Sequence, residues 1–105
     1  MKETIERIRK FRNDRDWSQF HTPSNLAKAI SIESGELLEE FLWDNENFNK
    51  QNVEDELADV IVYCIHMADA LGVNVEDIIN KKMDKNEKKY PVEKAKGTSK
   101  KYKEL

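Results

Sequence analysis

Two pairs of acids stand at a spacing that lets them act together. In "IESGELLEE", Glu33 and Glu36 are three residues apart, and in "EDELADV" Glu56 and Asp59 repeat the interval. Side chains three apart on a helix share a face, with Cβ atoms roughly 5–6 Å from one another. Asp59 lies among Leu57, Ala58, Val60, Ile61 and Val62, and no lysine or arginine falls between Lys50 and Lys81. Burying an ionised carboxylate costs several kcal/mol unless it is compensated. A cation from outside the helix is therefore the expected partner. Carboxylate oxygens are hard ligands suited to Mg²⁺, Mn²⁺ or Ca²⁺, and magnesium fills the rest of its shell with water and phosphate oxygens. The plain alternative is a solvated acidic stripe, as isolated acids on helices commonly form; the apolar setting of Asp59 argues against it.

Softer metals fit less well. A di-iron bundle needs Glu-x-x-His pairs, but His66 has Tyr63 three positions before it and His21 stands alone. Zinc prefers closely spaced His and Cys ligands, which Cys64 and His66 alone do not supply. Gly35, between the acids of the first pair, costs a helix about 1 kcal/mol relative to alanine. Close helix packing explains it as well as room for a metal-bound water or phosphate does.

The elements that must position these acids are helical. Three glycines, two prolines and no alternating apolar pattern predict an all-α chain. The first helix is expected over residues 2–14, with Ile5, Ile8 and Phe11 as its apolar stripe. An aromatic-rich loop, "RDWSQFHTPSN", leads to Thr22 as N-cap and Pro23 at the first helical position. The second helix is expected from Pro23 to about Trp43. After the link "DNENFNKQN", the third starts near Asn52 or Val53 and stops at Gly72. Asn74 caps a fourth, with Glu76 and Asp77 in its first turn, and Pro91 ends it. Residues from about 92 to 105 read as a basic, mostly irregular tail.

At 105 residues the chain is expected to form a single domain over residues 1–105. With 38% hydrophobic and 37% charged residues it has few apolar side chains for a self-sufficient core. Yet the stretch 54–71 is apolar around most of its circumference, as in a helix packed on several sides. A second copy of the chain is expected to complete the core. The formal charge of −3, from 18 basic and 21 acidic residues, gives no signal for a nucleic-acid polymer. The lone Cys64 excludes an intrachain disulfide and reads as core packing. "MKETIERIRK" is charged, unlike a signal peptide, and no apolar run approaches the roughly 20 residues of a membrane span. A reduced, soluble, cytoplasmic protein without membrane contact is expected.

The residues also carry a resemblance. From "RDWSQFHTPSNLAKAISIESGELLEEFLW" through "EDELADVIVYCIHMADALGV" to "NKKMDKNEKKYPVEKAKGTSKKY", the chain resembles the MazG-like all-helical nucleotide pyrophosphohydrolases, in the compact branch that includes dCTP pyrophosphatase. The likeness covers about residues 15–102. It implies a four-helix-bundle-type fold completed by oligomerisation, as a dimer or a dimer of dimers. It implies Mg²⁺-dependent hydrolysis of a nucleoside triphosphate, a (deoxy)pyrimidine such as dCTP or a modified deoxynucleotide, to the monophosphate and pyrophosphate. Mn²⁺ is the expected substitute, and nucleotide-pool cleaning the implied role.

By the same resemblance Glu33, Glu36, Glu56 and Asp59 are the metal ligands, and Glu36 or Glu39 orients or deprotonates the attacking water. Trp17, His21 and Trp43 form the base pocket, although each aromatic taken singly is as readily a core residue. Tyr63 lies near the sugar. Lys82, Asn86 and Tyr90, four apart on one helix face, meet phosphates and sugar, while Lys81, Lys85, Lys88 and Lys89 read as solvated. The tail "KGTSKKY" is implied to fold over the site with Lys100 and Lys101 toward phosphate; a disordered tail is the alternative. The shorter link between Trp43 and Glu56 leaves base preference open. Two competing readings are a non-catalytic helical dimer that binds nucleotide or a protein, and cleavage between the β and γ phosphates. The second has no Gly-rich phosphate loop to support it.

Overall fold

The computed structural model describes residues 1–105 and is helical throughout, without strands. Contacts divide it into two compact units, Met1–Gly72 and Val73–Leu105.

In the first unit α1 spans Lys2–Asp14, as its stripe predicted. Asp16 then adopts a left-handed φ of 53°, a conformation short polar residues tolerate. The Gln19 amide closes the turn by donating to the Asp16 carbonyl at 3.0 Å and to its carboxylate at 3.1 Å. The expected aromatic loop is thus partly ordered, as a short 3₁₀ turn over Trp17–Phe20. Thr22 caps α2 (Pro23–Glu39) as expected, its hydroxyl accepting the Asn25 N–H at 3.2 Å.

Helix α2 stops at Glu39, short of the expected Trp43. Its backbone tightens into i→i+3 bonds, Phe41 to Leu38 and Leu42 to Glu39. Asp44 then offers its carboxylate to the N–H groups of Glu46 and Asn47 at 2.8 and 3.0 Å, the local competition by which aspartate breaks helices. The Phe41 and Phe48 rings, 4.8 Å apart, fold the link back on itself. Helix α3 (Lys50–Leu71) begins before the expected Asn52, because Asn49 is the residue that caps it. It ends where predicted, at Gly72 with φ 68°, a conformation that costs glycine nothing.

Helices α2 and α3 form the main packed pair. His21 meets His66, the charge of Asp59 acts on Glu33, and that of Glu40 acts on Glu56. Rising numbers on one element match falling numbers on the other, so the pair is antiparallel. Its buried apolar core is small: Leu26, Ile65 and Ala68. Leu57, Ala58, Asp59, Ile61 and Cys64 are exposed in the single chain. Within one chain α3 is thus open on one side, and Cys64, read from sequence as a core residue, is exposed. No single helix is long and apolar enough to cross a membrane.

In the second unit α4 spans Val75–Lys89, with Asn74 accepting the Asp77 N–H at 3.1 Å and Pro91 just past its end. The tail is more ordered than expected. It forms a short α5 (Val92–Ala95) and a 3₁₀ turn at Tyr102–Glu104. The Tyr102 ring returns to α4, edge-on to Tyr90 at 6.3 Å and under the Lys89 ammonium at 4.8 Å.

Candidate active site

The acids on α2 and α3 converge. One carboxylate oxygen from each of Glu33, Glu56 and Asp59 lies within 4.8 Å of the other two. Glu33 Oε2 and Glu56 Oε2 are buried and have no hydrogen-bond partner. Glu36 stands close enough for its charge to act on both Glu33 and Glu56. None of the four takes part in an ion pair; the chain's ion pairs lie at Arg9, Lys10, Arg12 and Lys50. Burial holds the Glu33 carboxyl above the usual range, with Glu36, Asp59 and Glu56 adding to the effect. Burial likewise raises Glu56, followed by the charges of Glu36, Asp59 and Glu40.

Orphaned acceptors in a cluster of like charges are what a hard cation relieves, so the donor set fits Mg²⁺ or Mn²⁺. Asp59 is the exposed member and Glu33 and Glu56 are half-buried. The unpaired oxygens therefore belong to the glutamates and not to the aspartate that first drew attention. Glu39 is exposed, and Glu40 is the further acid whose charge reaches Glu56. A side chain added at Gly35 would meet nothing within 4 Å, so close packing within this chain does not explain the glycine.

The proposed base-pocket residues are placed unequally. Trp17 packs edge-on against Phe11 at 5.6 Å. Trp43, in the link after α2, is 93% exposed and makes no aromatic contact. His21 is half-buried, with its ring 4.6 Å from that of His66. Tyr63 meets the same His66 ring edge-on at 5.7 Å. On α4, Lys82 is exposed, Asn86 is half-buried with its amide 4.0 Å from the Met83 sulfur, and Tyr90 holds Tyr102.

A second polar cluster escaped the sequence reasoning. Arg9 grips Asp69 with Nε at 3.0 Å and Nη2 at 2.8 Å, while Arg12 donates to the same carboxylate at 2.8 Å. Arg12 also meets His66 Nδ1 at 3.2 Å. Both arginines hold the Asp69 carboxyl below the usual range, Arg9 contributing most. The available signal was a pair of three-residue intervals, Arg9 with Arg12 and His66 with Asp69, on helices with no other evident link.

An all-helical frame thus brings carboxylates of two antiparallel helices together as a donor set that a hard cation fits. The MazG-like family matches residues 28–105, and the chain belongs to that family. It is 35% identical over 97% of its length to dCTP pyrophosphatase 1 of Mus musculus, covering 68% of that protein. To the Homo sapiens dCTP pyrophosphatase 1 it is 36% identical at the same coverage. The crystal structure of a pyrophosphatase from Archaeoglobus fulgidus matches with a TM-score of 0.80 at 43% identity, over 87% of this chain and 92% of that one.

Proposed function

We propose that the protein hydrolyses a nucleoside triphosphate to the monophosphate and pyrophosphate with Mg²⁺, taking a (deoxy)pyrimidine such as dCTP or a modified deoxynucleotide, and so cleans the nucleotide pool. Membership of the pyrophosphohydrolase class follows from the family and the relatives. The metal, the substrate and the residue roles are our reading. The observation that carries it is the cluster of Glu33, Glu56 and Asp59, with buried acceptors that no protein cation neutralises.

Glu33, Glu36, Glu56 and Asp59 hold the ion, with Mn²⁺ as a substitute. When bound, the ion neutralises charge on the leaving phosphate and brings water toward phosphorus. Phosphoryl transfer of this kind needs positioning and electrostatics and no covalent nucleophile, consistent with a reaction that leaves Cys64 unused. Glu36 or Glu39 orients the water and accepts its proton. Of the two we favour Glu36, because its charge acts on both Glu33 and Glu56. His21, Trp17 and Trp43 receive the base and Tyr63 the sugar. Lys82 and Asn86 meet the phosphates, with Tyr90 alongside.

Residues 1–105 work as a single domain, in a cytoplasmic homo-oligomer that is a dimer or a dimer of dimers. Support for assembly comes from Leu57 and Ile61, one turn apart on α3 and 47% and 46% exposed on either side of Asp59. The test is a screen of dNTPs and NTPs, with methylated and halogenated cytosines included, for pyrophosphate release. Pyrophosphate that disappears with a chelator is the expected result. Orthophosphate would mean β–γ cleavage. Nucleotide-linked stabilisation with no product over long incubation would mean a binding module.

A further inference from the structure

His66 does not touch the acidic cluster, yet both His21 and Tyr63 pack against it, at 4.6 and 5.7 Å between ring centroids. The ring of His21 has little else to orient it. Its Nδ1 is buried without a hydrogen-bond partner, so no polar contact of that atom sets the ring angle. Its backbone N–H bonds the Ser18 carbonyl at 3.1 Å, which fixes the chain but not the side chain. Beside it opens a cavity of about 130 Å³ lined by Arg12, Ser18, His21, His66, Asp69 and Ala70. The His66 face is thus the one ring contact that His21 makes.

His66 itself is held firmly. It is only 5% exposed, and Arg12 Nη1 lies 3.2 Å from its Nδ1. Arginine is always a donor, so Nδ1 accepts and a neutral ring carries its proton on Nε2. Arg12 is in turn fixed by Asp69, which Arg9 also grips through two nitrogens. From this geometry we infer that His66 is a positioning residue: clamped by Arg12 and Asp69, it sets the ring of His21, and so the affinity for the nucleoside, without touching substrate. The inference rests on the reading that His21 faces the base.

The charges around the two rings agree with this. Burial pushes His66 down to about 4, with His21 and Arg12 adding and Asp69 opposing. Burial and then Arg12 lower His21. The charged or titratable groups facing the pair are Arg12 from α1, Asp69 and Tyr63 from α3, and Arg9 through Asp69. Both rings are therefore neutral at pH 7 and can approach closely without repulsion.

The experiment compares His66→Gln, His21→Ala and the double variant, with dCTP as substrate at saturating Mg²⁺. Glutamine keeps an acceptor for Arg12 but offers no ring. Loss of an aromatic contact is worth about tenfold in affinity. His66→Gln is expected to raise KM about tenfold while kcat stays within about twofold, and the double variant to match His21→Ala. If His21→Ala raises KM while His66→Gln does not, or if the two effects multiply, the positioning role is overturned and the base-pocket reading stands. If His21→Ala leaves KM unchanged in an active enzyme, the base-pocket reading falls and takes the inference with it. Should His66→Gln not fold, ¹⁵N NMR of the unaltered protein decides. An unprotonated Nδ1 on His66 from pH 8 to pH 5 supports the clamp, and protonation near pH 6.5 overturns it.

Discussion

Glu33 on α2 and Glu56 on α3 face one another, each with a buried carboxylate oxygen that meets no donor. Two such groups repel until a cation joins them, so ion binding should be felt by the whole fold. At a hundredfold excess over Kd, linkage supplies about 2.7 kcal/mol. For a chain of this size that corresponds to a rise in Tm of roughly 10–20 °C. Melting curves with and without Mg²⁺ check this, and a Tm indifferent to millimolar Mg²⁺ would mean that the acids do not act as a cluster.

Asp59→Asn keeps the shape of the side chain and removes its charge. Turnover of the preferred triphosphate is expected to fall by at least about a hundredfold, the upper end of what losing even an indirect metal contact costs. Unchanged Mg²⁺-dependent turnover would remove Asp59 from the ligand set. Steady-state assays of Glu36→Gln and Glu39→Gln separate the two candidates for water activation, with the larger loss of kcat expected at Glu36.

His66 supplies the pH dependence. Its folded value of about 4 lies below its ordinary 6.5, so between these limits the unfolded chain binds the proton and the folded chain does not. Stability is therefore fully present above about pH 6.5 and is lost as pH falls toward 4, by up to about 3 kcal/mol. His21, also lowered, acts in the same direction. Asp69 is depressed from 3.8, so its stabilisation is present above that value and is lost only as pH falls further. Glu33 and Glu56, both raised, act in the opposite direction. The His66 share is therefore read as the difference between the unaltered chain and His66→Gln in urea midpoints at pH 7 and pH 4.5, with the smaller loss expected in the variant.

Arg9 and Arg12 share Asp69 but not its surroundings: their side chains are 48% and 11% exposed. Arg9→Ala removes a largely solvated partner and should cost little stability. Arg12→Ala leaves Asp69 and His66 without their inner donor and should cost about 3 kcal/mol or more. Chemical denaturation of the two variants checks the ranking. Equal losses would mean that Arg12 is not the inner member of the pair.

Local signals carried well from sequence to structure. Thr22-Pro23, Asn74 and Gly72 mark helix ends because caps and left-handed turns are chemistry of a few neighbouring residues. Helical spacing likewise placed Glu33 with Glu36 and Glu56 with Asp59. The end of α2 was harder, since it depends on Asp44 competing for backbone donors and on Phe41 reaching Phe48. The Arg9–Arg12–Asp69–His66 cluster joins residues more than fifty positions apart, and no periodicity within one helix reveals such a partnership. The same limit explains why Asp59 looked enclosed: its apolar neighbours are real, but in the single chain nothing covers Leu57 or Ile61.

Asp59 and Asp69 ride on one uninterrupted rod, about 15 Å apart at 1.5 Å per residue. One end is already answered by guanidinium groups, and the other is open to whatever positive species arrives. Any twist or slide of that rod moves both ends at once. A disturbance at the arginine end would therefore be felt at the ion-seeking end with no third element to relay it.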